Sequence, residues 1–162
     1  MFALELNGLE QANARFEAYP AALTAALDAK AAQLAAALVD LIQNDKLSGG
    51  LLNTRSGALR DSIAASISAD ADGFVASVGC DGDVKYAAIQ EYGGKTGAHE
   101  ILPVKARALA FVVGGFQRFA RRVEHPGSLI RERSYLRSSL DDMRDEILDA
   151  LAEAAADALE RA

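Results

Sequence analysis

The chain has no tryptophan, one cysteine, two histidines and three prolines among its 162 residues. Each scarcity removes something. Cys80 alone cannot form an intramolecular disulfide, and a lone thiol of this kind usually serves as a small apolar filler in a reducing compartment. His99 and His125 have no partners at ligand spacing, so a metal centre built on either would lack ligands. No basic residues precede an apolar N-terminal stretch, so no secretory signal is read. No unbroken apolar run approaches the roughly 20 residues that cross a bilayer. The expectation is a protein made and kept in the cytoplasm unless a larger particle carries it out, with no membrane partner.

Aromatic residues make up only 6% of the chain, while apolar residues as a whole reach 51% and charged residues 25%. That is the profile of a folded chain. With so much alanine and so few rings, the core must be made of small, closely packed side chains. The length suits one structural domain, 1–162, with a modest core.

The net charge is -6, but it is unevenly spread. The first fifty residues and the last twenty-two are acidic, whereas Lys105 to Arg137 holds eight basic residues against Glu124 and Glu132. Arg118, Arg121, Arg122, Arg131, Arg133 and Arg137 belong to this segment. A solvated face with ordinary salt bridges accounts for such a run. The alternative is a surface for DNA phosphates or for an acidic face of a neighbouring subunit.

Periodicity sets out the elements. Phe2, Leu4 and Leu6 share one side of a short strand. Residues 8–46 read as helical, with a short helix over Leu9 to Ala18, a break at Tyr19-Pro20, and Pro20 in the first turn of a longer helix. Leu23, Leu27, Leu34, Leu38, Leu41 and Ile42 form its stripe. At about 1.5 Å per residue it is some 35 Å long, more than a small sheet needs as cover. Ser56 caps a short turn of helix. Residues 63–123 read as sheet-forming. Ile63, Ala65 and Ile67 alternate, Asp70-Ala-Asp72-Gly73 turns, and Phe74 to Val78 returns. Val84 to Tyr92 is open between strand and short helix, and Lys95 to Glu100 reads as an exposed loop. Ala108 to Val113, Gly114-Gly115 and Phe116 to Val123 make a second hairpin. This strand places Arg121 opposite in direction to Arg118 and Arg122. Residues 124–134 read as a loop, and 135–161 as a C-terminal helix. The fold class is α+β: a roughly four-stranded antiparallel sheet from two hairpins, with a long N-terminal helix and a C-terminal helix packed on it.

The residues give little to a catalytic reading. Asp81-Gly-Asp83 lacks the later ligands of a calcium loop. Ser56 and Ser62 lack a nucleophile-elbow setting. The glycine pairs are not followed by the Lys-Ser/Thr of a phosphate loop. Glu91 is a carboxylate without a partner in sequence. No enzyme, cofactor, metal or small-molecule substrate is expected.

Several segments, taken in order, resemble one known group. Ser56-Gly57-Ala-Leu59-Arg-Asp-Ser62-Ile63 resembles the small-Gly-x-Leu-x-x-Ser-Ile segment of tailed-bacteriophage head–tail joining proteins, also called tail-completion, virion-morphogenesis or minor tail proteins. Tyr86-Ala-Ala-Ile-Gln-Glu91-Tyr92-Gly93 resembles their Tyr-Ala-x-x-x-Glu-aromatic-Gly segment. Ile101-Leu-Pro103, Ala108 to Phe111, and Phe119 to His125-Pro126-Gly127 follow in that order. Tyr135 to Leu140 is similar to the approach to the family's last helix, although Arg131-Glu-Arg-Ser stands where that approach commonly holds proline. The resemblance covers about Leu52 to Leu140. It implies a non-enzymatic virion protein of the phage neck, found at the head–tail junction as an oligomeric ring, sixfold on the tail axis. Its implied partners are itself, the neighbouring neck, connector and tail-tube proteins, and packaged DNA. A tail terminator that caps the tail tube, and a small nucleic-acid-binding module, are the alternatives.

Overall fold

The computed structural model describes residues 8–70 and 73–161. The expected strand around Phe2 to Leu6 lies outside these residues, as do Ala71 and Asp72 of the first turn. The chain is mixed helix and sheet and divides into two compact units, Met1–Lys85 with Tyr135–Ala162, and Tyr86–Ser134.

In the first unit, α1 runs unbroken over Leu9–Leu41 with Pro20 inside it. The break expected at Tyr19-Pro20 does not occur. Proline removes one N–H, which leaves the carbonyl of Phe16 without its helical partner. Phe16 and Pro20 are both exposed, so water can serve that carbonyl. The alanine-rich sequence on either side favours helix strongly enough to carry it across. Beyond α1 the chain continues in wide, π-type turns over Ile42–Gly50 until Ser48 and Gly49 leave helical geometry. A four-residue helix follows, α2 at Ala58–Asp61.

β1 (Ile63–Asp70) and β2 (Gly73–Cys80) form the expected hairpin, in register from Ile63↔Cys80 to Asp70↔Gly73. Near the C-terminus, α4 (Leu136–Asp142) and α5 (Arg144–Arg161) replace the single helix expected. The interruption is slight. Met143 relaxes to ψ 0, yet its N–H still donates to the Ser139 carbonyl and its own carbonyl accepts from Ile147.

The core of this unit gathers Leu38, Ile42, Leu47, Ile63, Tyr135 and Met143, with Leu59, Val78, Cys80 and Ile147 packed against them. Ile42 is fully buried. α5 packs antiparallel along α1, with Leu159 lining one hollow beside Phe16 and Tyr19, and Ala154 and Ala158 lining another beside Ala22, Ala26 and Ala29. Alanine on both helices allows this close approach. By length and composition the stretch Glu10–Gly50 is apolar enough to cross a membrane, with a window of mean hydropathy 1.3, contrary to the expectation that no run comes near this. Its alanines raise the mean although Asp28 and Lys30 interrupt the run. A mostly buried core helix passes the same test, but only 17% of this window is buried, and among the described residues of α1 the buried ones are Ala31, Ala35 and Leu38.

The second unit begins with α3 (Ala87–Tyr92), which settles Val84 to Tyr92 as helical at its end. Six short strands follow: β3 (Gly94–Lys95), β4 (His99–Ile101), β5 (Leu109–Val113), β6 (Phe116–Ala120), β7 (Val123–His125) and β8 (Leu129–Ile130). They pair as β3–β8, β4–β7 and β5–β6. The pairs follow one another along the same two chain segments. One register holds from Gly94↔Ile130 to Ile101↔Val123, and the terminal hairpin runs from Leu109↔Ala120 to Val113↔Phe116. Between them, residues 102–108 lie opposite Arg121 and Arg122 alone, so the first segment bulges there.

Two expected loops are therefore parts of a β-ribbon. Lys95 to Glu100 and Glu124 to Ser134 are rich in glycine and charge and lack apolar alternation, which hid short strands held by each other's backbone. The single four-stranded sheet also fails to form among the described residues, where strands pair two by two. Hairpin β1–β2 is packed on α1 and belongs to one unit, and hairpin β5–β6 belongs to the other.

Candidate functional site

The segments that resemble phage joining proteins have structural roles that can be read atom by atom. Gly57 stands before α2 with φ 80, in the left-handed region. Leu59 packs against the core, and Ile63 is part of it. Ser62 Oγ donates to the Leu59 carbonyl at 2.8 Å. It lies 3.0 Å from Cys80 Sγ. The hydroxyl has one proton, already given to Leu59, so the Cys80 thiol is the donor of that pair. The Ser62 carbonyl in turn accepts from the Asp81 N–H at 2.6 Å. This cluster ties α2 to both ends of the β1–β2 hairpin. Ser62 is a linker rather than an activated nucleophile.

The second motif builds the base of the ribbon. Glu91 is 2% exposed and accepts a hydrogen bond from Ser134 Oγ at 2.8 Å. The Arg133 N–H donates to the Gln90 carbonyl at 2.9 Å. Gly93 has φ 69, and a Cβ there would stand 2.7 Å from the Glu132 nitrogen and 3.1 Å from the Ile130 carbonyl oxygen. Only glycine lets α3 end this close to the returning strand. Tyr86 and Tyr92 are exposed at the two ends of the motif. The partner that Glu91 lacked in sequence lies far along the chain, and it gives the carboxylate an anchoring role.

Further along, His99 and His125 face each other as a cross-strand pair, with ring centroids 5.0 Å apart and planes inclined by 28°. His125 Nδ1 accepts the Gly127 N–H at 3.0 Å, so a proton on a neutral His125 ring sits on Nε2. Among the described residues no three His, Cys, Asp or Glu side chains lie together as a metal site requires. Gly127, with φ 89, passes too close to the Thr96 carbonyl for any side chain. Pro126 is exposed beside it, and Pro103 is half-buried in the bulge.

The basic residues are divided between the two units. Arg118 lies on β6, paired with Phe111. Arg121 and Arg122 fall past the end of β6, not on it, because the strand yields to the bulge. The alternation expected for them therefore stops at Ala120. Arg122 reaches Glu100 at 3.3 Å and Glu124 at 3.7 Å. Both are exposed pairs within the ribbon and contribute little to stability. Arg131 and Arg133 are exposed after β8. Arg137 belongs to the other unit, at the rim of an apolar hollow of about 370 Å³ lined by Leu34, Leu38, Phe74, Val78 and Leu151. Arg137 is the one charged residue of that lining, which suits apolar packing better than recognition of a polar small molecule.

The ribbon's exposure is what sequence reasoning missed. Within Tyr86–Ser134 only Ala87 and Glu91 are buried. Val104 is 94% exposed, Leu129 80%, Phe116 71% and Phe119 68%. A two-stranded ribbon of this kind is marginal by itself in water. Exposed rings gathered on one element mark a surface that is covered in use. The signal was present as aromatic residues inside a basic, glycine-punctuated stretch. Comparison of the chain with protein-family models, curated proteins and solved structures finds no match.

Proposed function

We propose that this chain is a structural protein of a tailed-bacteriophage particle. It completes the tail and joins it to the DNA-filled head as part of an oligomeric ring, sixfold on the tail axis. The observation that carries the reading is the ribbon: a whole unit with two buried residues and no apolar core, which makes sense in a chain stabilised by its neighbours. The ordered resemblance from Leu52 to Leu140 supports the same reading. So do the anchoring roles of Ser62 and Glu91, the residues of those motifs nearest to chemistry. In this proposal the protein acts in the virion, with itself and adjoining neck, connector and tail-tube proteins as partners. Capping the tail tube as a terminator is the nearest variant.

A second reading, a nucleic-acid-binding module, is favoured by the stretch from Lys105 to Arg122, which has five basic residues and no acidic one. A β-ribbon can enter a DNA groove. The acidic total weighs against it.

The test is an infection in which Arg121 and Arg122 are both changed to Glu. The expected yield is DNA-filled heads and separate finished tails, with joined particles reduced at least tenfold. Normal infectious particles would contradict the reading. A salt-sensitive shift of short duplex DNA by the free protein, lost in the same variant while particles still join, would favour the second one.

A further inference from the structure

We infer that the tip of the β5–β6 hairpin docks on the outer face of α5 of a second copy of this chain, head to tail. This deepens the ring reading by naming its contact. On β5–β6, directly paired residues share a face. One face therefore holds Phe111, Val113, Phe116 and Arg118, all exposed. It combines an apolar patch with a guanidinium, and no residue from Lys105 to Arg122 is acidic.

The complementary surface is on α5. Its inner side, with Ala154 and Ala158, is buried. Its outer side is unusual for a solvated helix. Leu148, Ala152 and Ala156 are exposed and follow four-residue spacing along one line. Asp145 and Asp149 flank that line, and both are exposed. From Asp141 to Glu160 there are eight acidic residues against Arg144. The small alanines let a ribbon approach, Leu148 meets the rings, and the carboxylates meet Arg118. Arginine can bind a carboxylate through two parallel hydrogen bonds. DNA fits this hairpin face less well, because three of its four named side chains are apolar.

A hairpin that meets a helix is a contact between two different surfaces, so each copy offers one of each, and repetition closes a ring or grows a filament. That makes a sharp test. One full-length variant, Phe116→Asp with Arg118→Glu, disables the hairpin. A second, Leu148→Lys with Asp149→Lys, disables the helix face. All four positions are exposed, and unchanged helical circular dichroism confirms folding of each variant. Mass is read by analytical ultracentrifugation at low salt, up to millimolar protein. The expected result is concentration-dependent assembly of the unaltered chain and loss of assembly in each variant alone. An equal mixture of the two variants forms a one-to-one dimer, twice the 17.1 kDa chain, and nothing larger, because only one competent hairpin and one competent face remain. High salt weakens that dimer. A mixture that stays monomeric, variants that assemble like the original, or an unaltered chain that never associates would each overturn the inference. So would a duplex-DNA shift lost in the hairpin variant without any heterodimer. The readout needs no phage: a heterodimer from a protein absent from particles would leave the contact standing and remove the neck reading, and the converse would do the reverse.

Discussion

Gly93 joins the most constraints in the fewest atoms. Its φ of 69 disfavours any side chain, and its Cα faces the backbone of Ile130 and Glu132. Gly93→Ala is expected to cost about 1–3 kcal/mol from backbone conformation alone, with more from the clash. The loss should be read as faster amide exchange at Ile130 to Arg133, at the base of the ribbon. Unchanged exchange there would contradict a role for Gly93 in closing the base of the ribbon. The glycine, and the Glu91 before it, were legible in sequence as a motif but not as a mechanism. Glu91 reads as a lone carboxylate because Ser134 is remote in sequence. Only folding makes it a buried anchor, and a spacing argument cannot see a partner that the chain brings back. The same holds for Ser62, whose acceptor Leu59 is local but whose neighbour Cys80 is at the far end of a hairpin.

At the scale of elements, periodicity found hairpin β1–β2 and α1, although Ile67 and Val75 of the hairpin stay exposed. The β1–β2 hairpin alternates around Asp-Gly, and its register follows the expected turn. Of the expected stripe, Ala31, Leu38 and Ile42 are buried, Leu23, Leu27, Leu34 and Leu41 are half-buried, and Ala35, outside that stripe, is buried as well. Periodicity failed for the ribbon, whose strands β3, β4, β7 and β8 are two or three residues long and have no buried face to impose alternation. It failed differently at Pro20, where a local rule for ending helices lost to 33 residues of helix-favouring sequence. That outcome has a consequence. Pro20→Ala returns an N–H to the exposed Phe16 carbonyl and removes a ring that clashes with it. The gain for an interior position is up to about 3 kcal/mol. It should appear as slower amide exchange in the first half of α1 and a rise in helical circular dichroism. A fall in helicity would show that the proline shapes α1 rather than being tolerated by it.

For the whole molecule, the contrast between the two units is the main fact. One has a core of aliphatic residues closed by Tyr135, with helices and a hairpin around it. The other is a ribbon with two buried residues and most of its side chains exposed, including rings that are costly to leave in water. The acidic ends and basic middle of the sequence fit the same picture, since each copy carries both signs in separate places. The measurement that tests this account most directly is a reconstruction of the phage particle with the density of this protein assigned. The account predicts a closed ring on the tail axis between head and tail, sixfold, with each ribbon covered by an adjoining chain. One or two copies away from the axis, or no copy in the particle, would contradict it.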